Sequence, residues 1–358
     1  MPNLSRLLSG IPLPTIVVTF ALSGIGGLLA KSFGLPLAML LGAMVAVTGA
    51  TALGLQVSNH TLAVPQKWRT AFVPIIGVSI GAGFPPDFAT QALHWWITLA
   101  ALVVFIPVVQ LLGYAIFVKL GGLTPPTAYF AAMPGGFIES LDMGEKSGAD
   151  MQMLIMLQFL RLILCIVLIP IAFSIIEGHA VGSSTGVTLG ARAPLDTVDV
   201  AVLFALGLGG WGIAHVLRFP AAMLSGPLLL SGIAHAMELT HAAPPIWAVL
   251  VTQWIMGTSL GARLAGFTRG QVGLALRLSL VHVGTMLLIA AGIAVLAAGS
   301  VDEPISAVIL AFAPGGVTEM ALVALSLQVS AVYVTLHHLA RIILAVLMAR
   351  LGQRWVKL

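Results

Sequence analysis

Arg161 and Arg341 are the residues at which this sequence invites chemistry. They stand 180 positions apart, each inside an apolar run, "LQFLRLIL" and "HHLARIIL". A guanidinium can grip a carboxylate through two parallel hydrogen bonds. At the middle of a membrane span it costs about 2.5–3.5 kcal/mol unless it finds a partner. A carboxylate precedes each arginine at the same distance: Glu139 before Arg161, and Glu319 before Arg341. Each glutamate follows a break in the hydrophobic pattern. "FAAMPGGFIES" at 130–140 holds Pro134, Gly135 and Gly136, and "LAFAPGGVTEM" at 310–320 holds Pro314, Gly315 and Gly316, with Thr318 beside the acid. A half-helix starting at Phe137 or Val317 presents unpaired N–H groups and a positive dipole end, which is an anion-binding surface. Glycines let a ligand come close to that backbone. Three readings follow: Arg binds a substrate carboxylate, Glu carries a coupling proton, or the two form a buried ion pair that latches the break to the last span.

Other polar groups share this setting. Gln158 occupies in the first half the place that His338 takes in the second, and His338 lies one helical turn before Arg341; it is read as a proton-sensitive or substrate group. His337 points to a different face, and His282 reads as a packed, hydrogen-bonded histidine. Ser79 in "GVSIGA" and Ser259 in "GTSLGA" sit on short, small-residue spans expected to pack close beside the breaks, with the hydroxyls as polar contacts. No H-x-x-x-H, cysteine pair or phosphate loop occurs, so metal, cofactor and hydrolytic chemistry find no support.

The elements that must position these groups are membrane helices. The 358 residues are 59% hydrophobic and 8% charged, with a mean hydropathy of +1.08, whereas a soluble domain carries about 25% charge. The pI of about 9.6 is not a nucleic-acid signal, because the cations stand singly at span ends. Cys165, the one cysteine, excludes an internal disulfide. Spans are expected at 14–32, 35–54, 68–83, 90–118 and 151–176, with a broken segment at 124–147. In the second half they fall at 199–217, 220–237, 247–263, 273–299 and 331–350, with the break in 304–327. "GVSIGA" and "GTSLGA", the two Pro-Gly-Gly breaks and the two arginines all share the offset of 180. The chain therefore divides into a first membrane repeat at 1–176, a polar linker at 177–197 and a second repeat at 198–358.

Charge sets the orientation. Lys67, Arg69 and Lys119 mark one side in the first half, while Arg263, Arg269 and Arg277 mark the opposite loop in the second. By the positive-inside rule the halves are inverted. An odd number of crossings per half then makes each broken segment a re-entrant hairpin. The expected fold is an all-α polytopic membrane protein of two inverted-topology repeats, each with five transmembrane helices plus that hairpin, and with both termini in the cytoplasm. Inverted repeats with interrupted helices at matching positions point to a secondary transporter.

"MPGGFIE" and "APGGVTE", each followed by a span with "QFLR" or "HHLAR", and the two G-x-S-[IL]-G-A spans resemble the bacterial AbrB-type duplicated membrane family. Its members are labelled regulators or ammonia monooxygenases; the small soluble DNA-binding AbrB shares only the name. The expectation is a transporter of the bacterial inner membrane, not an enzyme, for a small carboxylate-type solute with H+ or Na+. The lipid bilayer is a partner, nucleic acid is not, and a homo-oligomer stays open. The alternatives are a membrane sensor acting indirectly on gene expression and, behind it, the oxidising enzyme of the label.

Overall fold

The computed structural model describes residues 10–356 apart from 36, 85, 87, 179–194, 220 and 265–268. Most of the polar linker lies outside the described residues. Among the described residues fifteen α-helices follow in order. They are α1 (Leu13–Ser32), α2 (Ala38–Ala52), α3 (Gln66–Gly81), α4 (Phe88–His94), α5 (Trp96–Lys119), α6 (Pro125–Ala131), α7 (Phe137–Lys146) and α8 (Met151–Glu177). After the linker come α9 (Thr197–Val216), α10 (Ala222–Ala236), α11 (Ile246–Gly261), α12 (Arg269–Ala297), α13 (Ile305–Phe312), α14 (Val317–Ser326) and α15 (Ala331–Val356). A two-stranded ribbon, Gln56–Val57 with His60–Thr61, joins α2 to α3. Among the described residues, α1, α5, α8, α9, α12 and α15 are long and apolar enough to cross a bilayer, and α2, α10, α11 and α14 are shorter apolar helices. The chain is an all-α, multi-pass membrane protein.

The expected spans match these helices within a few residues, with one difference. The span at 90–118 is interrupted at Trp95, whose N–H closes a tight turn onto Ala92 at 3.2 Å. The indole turns inward, 3% exposed, against Phe88 and Tyr333. Burying that ring offsets the loss of helix continuity.

Two compact units result, and they cut across the sequence halves. One holds α1–α3 and α9–α11. Its helices approach through glycine. A Cβ at Gly26 would overlap the carbonyl of Gly42, and one at Gly210 the carbonyl of Gly226, so α1 on α2 and α9 on α10 make the same contact. Likewise Gly77 lies on Leu224 and Gly257 on Leu40. Here α3 of the first half packs on α10 of the second, and α11 packs on α2. Lipid gives no hydrophobic push between helices, so close backbone contact supplies the association.

The other unit holds α4–α7, α12–α14, α15 and α8 up to Leu168. α15 is its axis, packed against α5, α6, α7 and α13. Each broken segment is a short helix, a Pro-Gly-Gly break and a second short helix: α6 then α7, and α13 then α14. Pro134 and Pro314 have no N–H to continue the first helix. Gly136 then takes φ +68°, the left-handed region open to glycine, and α7 starts. α8 restarts the chain on a cap, the Asp150 carboxylate accepting from the N–H groups of Gln152 and Met153 at 3.0 and 3.2 Å.

Candidate functional site

Both breaks converge on α15. The first lies on its backbone: a Cβ at Gly135 would touch Ile342 Cα at 3.4 Å and the Arg341 carbonyl at 3.5 Å. The second is held by the Arg341 side chain, which donates to the carbonyls of Ala313 and Gly315, the latter at 2.6 Å. Arg161, on α8, donates to the Met133 carbonyl at the first break. Each arginine therefore binds the carbonyl 28 residues before it, just past the C-terminal end of the first half-helix. This is where a cation complements the negative dipole end.

Gln158 and His338 do matching work. Gln158 Nε2 donates to the Phe130 carbonyl at 2.8 Å, and His338 Nε2 to the Leu310 carbonyl at 2.9 Å. His338 Nδ1 lies 3.0 Å from Arg341 Nη2. Arginine only donates, so Nδ1 accepts and the proton is on Nε2. Both ring nitrogens are thus committed, and His338 positions Arg341. Gln158 Oε1 is buried without a partner.

Among the described residues, the hydrogen bonds of Arg161 and Arg341 go to carbonyls and His338, not to Glu139 or Glu319, the partners that one of the expected readings gives them. Each glutamate instead folds back over its own break. The Glu139 Oε2 would sit 3.2 Å from a Cβ on Gly136, and the Glu319 Oε2 would overlap one on Gly316. Both acids are the third residue of their half-helix, where a carboxylate is drawn to the exposed N–H groups and positive dipole end. Glu139 is exposed and Glu319 is 3% exposed. Thr318 lies in the same first turn of α14, and Pro134 and Pro314 are buried at the breaks.

Among the described residues, two cations are consequently buried with no carboxylate among their hydrogen-bond partners. Arg161 and Arg341 are 3% and 2% exposed, and among the described residues their hydrogen bonds go to carbonyls and His338. The Nε–H of each is buried and unpaired. Their charges act on each other and on Cys165. His282, which the sequence marks only as a packed histidine, feels the Arg161 charge and has a buried, unpaired Nε2. Its ring lies over Phe117 and against Gly113. Its counterpart 180 positions earlier is Leu102, so the repeat does not flag it.

Ser79 and Ser259 belong to the other unit. They stand between the glycines through which α3 packs on α10 and α11 on α2. Gly81 lies on Ser231 and Leu228, and Gly261 on Met44. The glycines one turn apart bring the backbones together there, and the serines are 2% and 3% exposed.

The family model described as transition state regulatory protein AbrB matches residues 50–357. The chain belongs to the AbrB family. The match includes both breaks and both arginines. Among AbrB-family relatives, a Bacillus subtilis (strain 168) protein named "Uncharacterized protein YhjN" is 23% identical over 356 residues, covering 91% of this chain and 89% of the relative. An Escherichia coli (strain K12) protein named "Putative regulator AbrB" is 24% identical over 304 residues, 81% of each chain.

Proposed function

We propose that this AbrB-family protein is a secondary transporter of the bacterial inner membrane that moves a small carboxylate-type anion past its two Pro-Gly-Gly breaks. One observation carries the reading: two mutually repelling guanidiniums are buried, among the described residues, with no carboxylate as hydrogen-bond partner and each with an unused Nε–H. An anion between them would remove the repulsion and satisfy donors that otherwise cost about 1–3 kcal/mol each. The glutamates then hold the half-helix N-termini rather than the substrate. No catalytic role is assigned to any residue.

The broken segments are read as re-entrant hairpins in inverted repeats, with both termini cytoplasmic. Backbone outside a helix at membrane depth is tolerated where protein or a wet cavity surrounds it. Tags placed in the 177–197 linker are expected to report the periplasm; a cytoplasmic linker would remove the inversion. The Escherichia coli relative's printed name favours a second reading, a membrane sensor that uses the same anion site to report rather than to transport. The deciding experiment is a thermal-shift screen of purified protein against small carboxylates and amino acids, followed by liposome flux of any hit. A ligand at 100 times its Kd adds about 2.7 kcal/mol, and Arg161→Met or Arg341→Met should abolish that gain. A hit that stabilises but does not cross the membrane selects the sensor, and a hit untouched by either substitution refutes the arginine site.

A further inference from the structure

In the unit of α1–α3 and α9–α11, matching spaces beside α1 and α9 are filled differently. "FALSGIG" at 20–26 of α1 corresponds to "FALGLGG" at 204–210 of α9, and Gly26 and Gly210 make the same close contact. α3 corresponds to α11 through "GVSIGA" and "GTSLGA". Beside α1, two indoles occupy the space. Trp68 stacks on Phe20 with ring centroids 5.8 Å apart, and Trp254 meets the same ring edge-on at 5.3 Å. The Trp254 ring lies 3.4 Å from a Cβ built on Gly24, and its N–H donates to the Ser23 hydroxyl at 2.8 Å. The Thr258 hydroxyl lies 2.8 Å from the same oxygen.

Beside α9 these side chains are replaced by smaller or purely apolar ones. Ala248 stands for Trp68, Pro74 for Trp254, Val78 for Thr258 and Gly207 for Ser23. All four line a pocket of about 470 Å³, a size that takes a small organic ligand. Phe204, the counterpart of Phe20, and Trp247 also line it and are 66% and 68% exposed, so a ligand can enter from the surface. Every lining residue is aliphatic, aromatic, proline or glycine. A charged or polar ligand would give up its water there with no polar side chain lining the pocket to replace it. A rigid ring without N–H or O–H has no such loss, and it surrenders less conformational freedom than an acyl tail.

We propose that this pocket is a second ligand site, which takes a flat, uncharged ring compound dissolved in the bilayer, in the place that Trp68 and Trp254 fill beside α1. The filled side specifies the shape, and the missing hydroxyls specify the chemistry. An indole buried beside Gly207 would leave its N–H without the acceptor that Ser23 provides beside α1. It should therefore bind about tenfold more weakly than a naphthalene of similar size. This site does not depend on the transport reading.

Fluorine NMR of the full chain in lipid nanodiscs, titrated with fluoronaphthalene or fluoroindole and referenced to empty nanodiscs, reads saturable binding. Fluoronaphthalene should give a saturable bound signal and fluoroindole one about tenfold weaker. Ala248→Trp, which restores a ring found beside α1, should remove both. Gly207→Ser restores the acceptor; a Cβ there meets Pro74 and Val78 at 3.8 and 3.9 Å, ordinary contact distances, so the variant should fold and its preference for naphthalene should shrink. No saturable signal above empty nanodiscs, binding retained in a folded Ala248→Trp, or a preference unchanged in Gly207→Ser would each overturn the assignment. Displacement of fluoronaphthalene by a fluorinated palmitate would overturn it in favour of an acyl chain. A disulfide between two copies of the Phe204→Cys chain, with no ring bound, would overturn it in favour of a second copy. If Ala248→Trp does not fold, the Gly207→Ser comparison decides the case. None of these measurements uses a carboxylate, so a failed solute screen leaves this site standing, and an empty pocket leaves the anion site untouched.

Discussion

Replacing each arginine by methionine, which keeps an unbranched side chain and removes the charge, separates the two symmetric positions. Arg341→Met strands the Gly315 carbonyl and His338 Nδ1, while the Ala313 carbonyl keeps the Gly315 N–H at 2.9 Å. Arg161→Met strands the Met133 carbonyl alone. A buried acceptor left unpaired costs about 1–3 kcal/mol. Arg341→Met should therefore cost about 1–3 kcal/mol more than Arg161→Met. Both variants also shed a buried charge that lacks a carboxylate, which offsets part of each loss. In a thermal melt of purified protein, with about 2–4 °C per kcal/mol for a mid-sized chain and somewhat less here, Arg341→Met should melt a few degrees below Arg161→Met. Equal melting points, or Arg161→Met the lower, would refute the assignment of these bonds as the arginines' structural work.

Gly135 is the break glycine at which a methyl meets ordinary contact distances, 3.4 Å or more, so Gly135→Ala should fold like the parent, and loss of carboxylate-induced stabilisation with an unchanged unliganded melt would mark the break as ligand-contacting. Gly257→Ala drives a Cβ into the Leu40 carbonyl, and a sharp fall in membrane yield or melting temperature is expected, checked by fluorescence-detected size exclusion. Glu303 has a raised pKa in the folded chain, so its contribution is fully present below the ordinary value of 4.5 and is lost as pH rises through about 7. Wild type and Glu303→Gln should thus melt alike near pH 5, with the variant the more stable near pH 8. The full shift corresponds to about 3 kcal/mol, reduced to about 1–2 kcal/mol by solvent at a half-buried site.

The elements of this fold were legible in the sequence because the bilayer makes them so. Lipid offers no hydrogen bonds to a backbone, so spans must be continuous apolar helices, and an interruption such as Pro134-Gly135-Gly136 stands out, twice over when Pro314-Gly315-Gly316 repeats it. The arginines were legible for the same reason, since a charge inside such a run needs a partner. Which partner was decided by tertiary structure. From spacing, Glu139 and Glu319 matched Arg161 and Arg341 in charge, but a carboxylate in the first turn of a half-helix already finds donors in its own backbone, and the guanidiniums meet the carbonyl ends of the preceding half-helices once α8 and α15 pack alongside. The same limit applies to the serine spans: the glycines of α3 and α11 announce a close neighbour, yet only the folded chain shows that the neighbour comes from the opposite sequence half. His282 and His337 were least legible, because each acquires its surroundings from groups far along the chain, the Arg161 charge and the Thr98 hydroxyl, and no local pattern encodes a contact between helices separated by more than a hundred residues.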